Sequence, residues 1–163
     1  MTKTSKTAAT ATSTTQAGPR LHGGGCHCGR VRYQVTIDAR NGSRCNCSIC
    51  HKVAQLGGIV LPDAFKLLSG ADSITEYAWG TMCGSRSFCK HCGIHCFGHG
   101  HLKELGGDFV SINYNSLDDV DPLDVKVAYW DGRHDNWQAG TRATPWRIER
   151  IETSGDESAA PAA

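Results

Sequence analysis

Val31, Tyr33, Val35 and Ile37 alternate with Arg32, Gln34 and Thr36. A period of two predicts a strand with one buried face. Ile74, Glu76 and Ala78 against Thr75, Tyr77 and Trp79 predict a second strand, Phe109 to Asn113 a third and Val125 to Trp130 a fourth. Helical periodicity is nearly absent. One short turn is expected between Leu117 and Leu123, ended by Asp121-Pro122, and another after Cys50, from Val53 to Leu56. The 19 glycines mostly punctuate the runs between strands. The pattern therefore predicts a mainly β domain with short, mostly antiparallel strands and little helix.

The apolar supply is thin. Leu, Ile, Val and Phe total 29 residues, all between Leu21 and Ile151. Thirteen of the first twenty residues are Thr, Ser or Ala, a composition that buries too little to offset ordering entropy. The chain thus divides into a tail (1–20), a single domain (21–152) and a second tail (153–163). A core this sparse calls for another source of stability. Charge is balanced, 17 Lys and Arg against 16 Asp and Glu, which gives no electrostatic footprint for nucleic acid or an anionic membrane. No apolar run is long enough to span a bilayer. No apolar segment of secretory type stands near Met1, so a reducing, cytoplasmic setting is expected.

Nine cysteines are the candidate stabilisers. Their odd number excludes complete disulfide pairing, and clustered cysteines in a reducing compartment more often bind metal. Seven form three tight groups: Cys26-His27-Cys28-Gly29, Cys45-Asn46-Cys47-Ser48-Ile49-Cys50 and Cys89-Lys90-His91-Cys92-Gly93. A C-x-x-C followed by Gly is a knuckle that aims two thiolates at one point, and C-x-C places two sulfurs close together. The first and third groups supply four thiolates, enough to close a tetrahedral zinc site. The second supplies three, which leaves one position open, the arrangement of a catalytic zinc. Spacing alone equally permits all seven to build structural sites, with Cys96 or a histidine completing the second. Cys83 and Cys96 carry no partner motif and are expected as reduced, partly buried thiols.

Other residues join these as candidates. His91, His95, His99 and His101 cluster, but Gly93, Gly98 and Gly100 interrupt any helix there, so they are expected in a glycine-rich strand and loop. Lys52 follows Cys50 by two residues and can favour thiolates electrostatically. In Trp130-Asp131-Gly132-Arg133-His134-Asp135-Asn136-Trp137, two indoles bracket a polar run. Such a loop can line a pocket, with Trp137 as apolar wall and Arg133 as anchor.

These motifs together resemble the glutathione-dependent formaldehyde-activating family, which shares its domain with centromere protein V. The resemblance rests on Gly24 to Tyr33, Cys45 to Lys52, Phe88 to Ile94, Gly106 to Asn113 and Asp131 to Trp137, and covers about Leu21 to Trp146. It implies a β-tent, Mss4-like zinc-binding fold. It implies a structural zinc on Cys26, Cys28, Cys89 and Cys92, and a catalytic zinc on Cys45, Cys47 and Cys50 with a fourth position open. It further implies a carbon–sulfur lyase that condenses formaldehyde with glutathione to S-hydroxymethylglutathione. His95-Cys96 departs from the family pattern, which often carries Pro or Thr near that point. Glutathione has two carboxylates, for which Lys52, Arg133 or Arg86 are candidate anchors. His51, His134 and Asp135 are candidate proton acceptors. The competing functions are another small thiol adduct or electrophile as substrate, and a non-catalytic glutathione carrier or zinc scaffold.

Overall fold

A computed structural model describes residues 18–80 and 84–148. Cys83 and most of the two expected tails lie outside the described residues. Ten strands and one short helix follow in order: β1 (Arg20–Gly25), β2 (Arg32–Ile37), β3 (Asn41–Cys45), α1 (Ser48–Lys52), β4 (Gly57–Val60), β5 (Phe65–Ser69), β6 (Ile74–Ala78), β7 (Ser85–Cys89), β8 (His95–Leu102), β9 (Gly107–Asn113) and β10 (Lys126–Trp130). All four strands expected from the sequence are present, and the mainly β architecture with little helix holds.

The strands form two sheets. One has the order β1-β2-β5, the other β10-β3-β4-β9-β8-β7-β6. Every pairing is antiparallel except β10 with β3, which run parallel with Trp130 opposite Cys45. That exception matters for the site. In a parallel pair both strands end at the same edge, so the loop after β10 meets the segment after β3.

The core lies between the sheets. The alternation of β2 is realised in full: Val31, Tyr33 and Val35 are entirely buried and Ile37 nearly so. Tyr33 of β2, Phe65 of β5 and Phe97 of β8 pack with ring centroids 4.7 to 5.5 Å apart, which joins the two sheets through offset aromatic contacts. A buried phenol needs a partner, and Tyr33 Oη finds Ser116 Oγ at 2.7 Å. Of the histidine and glycine cluster, His95, His99 and His101 lie on strand β8 and His91 in the turn before it, the strand and loop that its composition suggested. Here the face alternates His95, Phe97, His99.

Two turn expectations need correction. The turn near Leu123 spans Pro122–Asp124, and Asp121-Pro122 starts it rather than ending it. Asp121 accepts the backbone N–H of Leu123 and Pro122 takes the first position, where each residue favours helix initiation. The helix near Cys50 spans Ser48–Lys52 and so contains Cys50, and the turn expected after it is present at Val53 and Ala54 but stops short of Leu56.

Candidate metal centre

Cys26 and Cys28 leave β1, and Cys89 and Cys92 end β7. Tight turns present each pair: Gly29 N–H donates to Cys26 O and Gly93 N–H to Cys89 O. Both glycines have positive φ, 76° and 73°, a conformation that costs other residues strain. The four sulfurs lie within 4.8 Å of one another. Cys28 Sγ stands 3.5 Å from Cys26 Sγ and 3.6 Å from Cys89 Sγ. A tetrahedron with zinc–sulfur bonds of about 2.3 Å has edges of about 3.8 Å, so the cage has the size that zinc needs. Backbone amides support the ionised form. Val31 N–H donates to Cys26 Sγ at 3.3 Å, and the amides of Ile94 and Cys28 draw the Cys92 thiol down to about 6. Cys96 lies buried behind this group, its thiol pushed up to about 12 by burial and by the four neighbouring sulfurs. It is fully rather than partly buried, and is not one of the four.

The second group is built by a strand end and a helix start. Cys45 closes β3, Cys47 caps α1, and Cys50 lies three residues on, so Cys47 and Cys50 share a helix face. Their three sulfurs also fall within 4.8 Å of one another, and no fourth Cys, His, Asp or Glu joins them among the described residues. All three are partly exposed. Charge concentrates on Cys47, which hydrogen bonds from Cys45 and Cys50 hold far below the ordinary thiol range. The same sharing pushes Cys45 up.

The loop after β10 packs on this group. Asn46, the spacer between Cys45 and Cys47, is buried and clamps the loop from both sides of Gly132. Its Nδ2 donates to Asp131 Oδ1 at 2.7 Å, and its Oδ1 accepts Arg133 N–H at 2.9 Å. Gly132 lies so close that a Cβ would stand 2.5 Å from Cys45 Sγ and 2.6 Å from the Trp137 ring. Asp131 is 3 % exposed and also pairs with His134 Nδ1 at 2.8 Å. Burial pushes its carboxyl up, but hydrogen bonds from Asn46, His134 and Asn136 outweigh burial and keep it ionised to lower pH than usual. The pairing leaves the other ring nitrogen, Nε2, as the free nitrogen of His134. Asp131 and His134 border a cleft of about 570 Å³, walled by Arg142, Thr144, Pro145, Trp146 and Arg147.

A family model for the glutathione-dependent formaldehyde-activating enzyme matches residues 21–133. The chain belongs to this family. A Halomonas elongata protein named "Putative glutathione-dependent formaldehyde-activating enzyme" is 38 % identical over 78 residues, which is 42 % of this chain and 50 % of that protein. The chain therefore spans about half the length of this curated relative. A Rhodobacter sphaeroides protein of known crystal structure superposes with a TM-score of 0.54 at 27 % identity, over 63 % of this chain and 93 % of the other. That likeness shows that the two proteins share a fold over the superposed region.

Within this family member, the other expected site residues are placed unevenly. Lys52 ends α1, exposed, and His51 beside it is exposed too. Arg133 meets the site through its backbone N–H, with its side chain exposed. Trp137 packs against Gly132 and donates its indole N–H to Asp135, which leaves Asp135 as a brace for the indole. Arg86, one of the expected carboxylate anchors, donates Nη2 to Cys50 Sγ at 3.4 Å. Asn46 and Asp131 carry the loop's attachment and were not singled out from sequence. The one signal was a polar amide trapped between two ligand-type cysteines.

Proposed function

We propose that the chain joins formaldehyde to the thiol of glutathione, a carbon–sulfur lyase reaction run in the synthetic direction, giving S-hydroxymethylglutathione. The observation that carries this reading is the contrast between a closed group of four thiols and an open group of three. Cys26, Cys28, Cys89 and Cys92 would hold a structural zinc, and Cys45, Cys47 and Cys50 a reactive one. Bound there, zinc would stabilise a substrate thiolate at neutral pH and polarise an aldehyde oxygen.

The protein's own groups do the rest. The Asp131 carboxylate accepts from Nδ1–H of His134, which sets the ring tautomer and leaves Nε2 as a proton acceptor. Nε2 takes the proton of the thiol. The sulfur then bonds to the formaldehyde carbon, the carbonyl π pair moves to oxygen, and the same nitrogen returns the proton there. Lys52 and Arg133, both exposed, supply positive charge for the two carboxylates of glutathione, and Trp137 an apolar wall. The substrate is a small molecule, and the balanced charge of the chain favours neither nucleic acid nor membrane. Among the described residues no helix is long and apolar enough to cross a membrane. A cytoplasmic setting suits a site that works through reduced thiols.

Exchange NMR of glutathione with formaldehyde, with and without catalytic amounts of protein, tests the reading. The account predicts faster exchange of the hydroxymethyl adduct. Saturable glutathione binding with unchanged exchange would make the chain a carrier instead.

A further inference from the structure

Arg86 reaches the second thiol group from a distant part of the larger sheet. It starts in β7 and its guanidinium crosses the face of β8 at Gly98, where a Cβ would stand 3.1 Å from Nη1 and 2.3 Å from Ser85 O. The missing side chain at Gly98 leaves room for the Ser85 carbonyl first and for Nη1 beside it. Nη1 donates to Ser111 Oγ on β9 at 3.3 Å, and Nη2 to Cys50 Sγ in α1 at 3.4 Å. The guanidinium carbon lies 5.4 Å from the ring centroid of Trp79, a cation–π contact. Among the described residues no carboxylate pairs with it. On β8, His95 is buried, and burial and the Arg86 charge hold it neutral down to about 4. A half-buried cation without a carboxylate is costly unless another anion faces it. Here the facing group is Cys50 Sγ, which becomes the anion once it ligates a metal.

The charge balance says what this achieves. Three thiolates outweigh a divalent ion by one negative charge, and a thiolate substrate raises the excess to two. The guanidinium removes one of these. Its charge-assisted hydrogen bond also draws electron density from Cys50 Sγ, so the ion is less satisfied by its protein ligands and attracts an incoming anion more strongly.

We propose that Arg86 is a positioning residue that, acting through Cys50, makes the three-thiolate metal site select an anionic thiolate over a neutral donor as its fourth ligand. This rests on the reading of that site as a thiol-binding metal centre. The test replaces zinc by cobalt(II) in the full-length chain and follows the visible spectrum during titration with glutathione and, separately, with imidazole as a neutral donor. Arg86→Gln is expected to weaken glutathione binding about tenfold or more while imidazole binds as well or better. Arg86→Lys, which keeps the charge, retains most of the preference for thiolate. Equal weakening of both ligands in Arg86→Gln, an unchanged ratio, or an Arg86→Lys variant as poor as Arg86→Gln would overturn the assignment. If Arg86→Gln holds only one cobalt per chain, Arg86→Lys decides: a wild-type ratio supports the proposal, and the same loss of metal refutes it. A wild-type spectrum indifferent to glutathione refutes the thiol reading itself, and this inference with it. An unchanged ratio in a responsive protein refutes the inference alone.

Discussion

Gly132→Ala probes the contact between the loop after β10 and the three-cysteine group. The added Cβ would lie 2.5 Å from Cys45 Sγ, 2.6 Å from Trp137 Cη2 and 3.0 Å from Cζ2. Carbon contacts are comfortable at about 3.5 to 4.0 Å, so roughly 1 Å of space must open on at least one side. The backbone cannot easily yield. Asn46 pins the residues before and after Gly132 with hydrogen bonds of 2.7 and 2.9 Å. The indole can give more, because Trp137 is 50 % exposed. The sulfur can give least, since ligand distances tolerate shifts of only about 0.2 Å. Overpacking of this kind costs about 1 to 3 kcal/mol, which lowers the melting temperature by roughly 2 to 12 °C in a domain of this size. The variant should also bind its second zinc more weakly, while the four-thiol site keeps its ion. Adding Trp137→Ala relieves the indole side only, so it should recover stability without restoring the metal. Differential scanning calorimetry and competitive zinc titration read both effects. A Gly132→Ala protein with wild-type melting and wild-type affinity for both ions would refute the packing argument.

Zinc analysis of protein purified without chelator should find two ions per chain. Stripping both should unfold it, because a structural zinc contributes on the order of 10 kcal/mol against about 5 to 15 for a whole domain; circular dichroism checks this. Asp131→Asn should stay folded yet lose about tenfold to a hundredfold in adduct turnover, since the carboxylate that orients His134 is gone, and steady-state exchange rates decide it. His95 gives a pH signature. Both its ring nitrogens are buried without partners, and its pKa falls to about 4 from an ordinary 6.5. The unfolded chain therefore binds the extra proton first as pH drops, and stability declines between about 6.5 and 4 by roughly 3 kcal/mol. His95→Phe should flatten that decline in urea melts at pH 7 and pH 5, and an unaltered slope would show that His95 does not titrate as described.

How much of this was legible in the sequence varies with the physics of each element. β2 was plain because Val31, Tyr33, Val35 and Ile37 fill one buried face without interruption. β3, Asn-Gly-Ser-Arg-Cys, has no apolar alternation; it is held by pairing with β4 and β10, which no local pattern reveals. β8 was legible only as a glycine-rich strand and loop, and what its glycines do was not: Gly98 lies against Ser85 O and Arg86 Nη1, and Gly100 gives room to the Phe109 ring. Short-range spacing marked each cysteine motif, whereas the union of the first with the third, 61 residues apart at Cys28 and Cys89, was what the family resemblance implied. The surroundings of the thiol groups were not legible, since Asn46 meets Asp131 across 85 residues through a parallel strand pair. Arg86 was noticed for its charge, and its contact with Cys50 was not foreseen. Charge type is visible in a sequence, whereas the partner is a matter of strand order.

The division into one closed and one open thiol site is the central claim, and a pair of variants tests it most directly. Cys92→Ser removes a ligand from a site with no spare position, whereas Cys47→Ser acts on a site of three. Zinc content and thermal melting are measured on both. The account predicts that Cys92→Ser unfolds or aggregates, while Cys47→Ser stays folded with one zinc and no adduct chemistry. A Cys47→Ser chain that unfolds as badly as Cys92→Ser would make both sites structural, and a folded Cys92→Ser beside an unfolded Cys47→Ser would reverse the assignment.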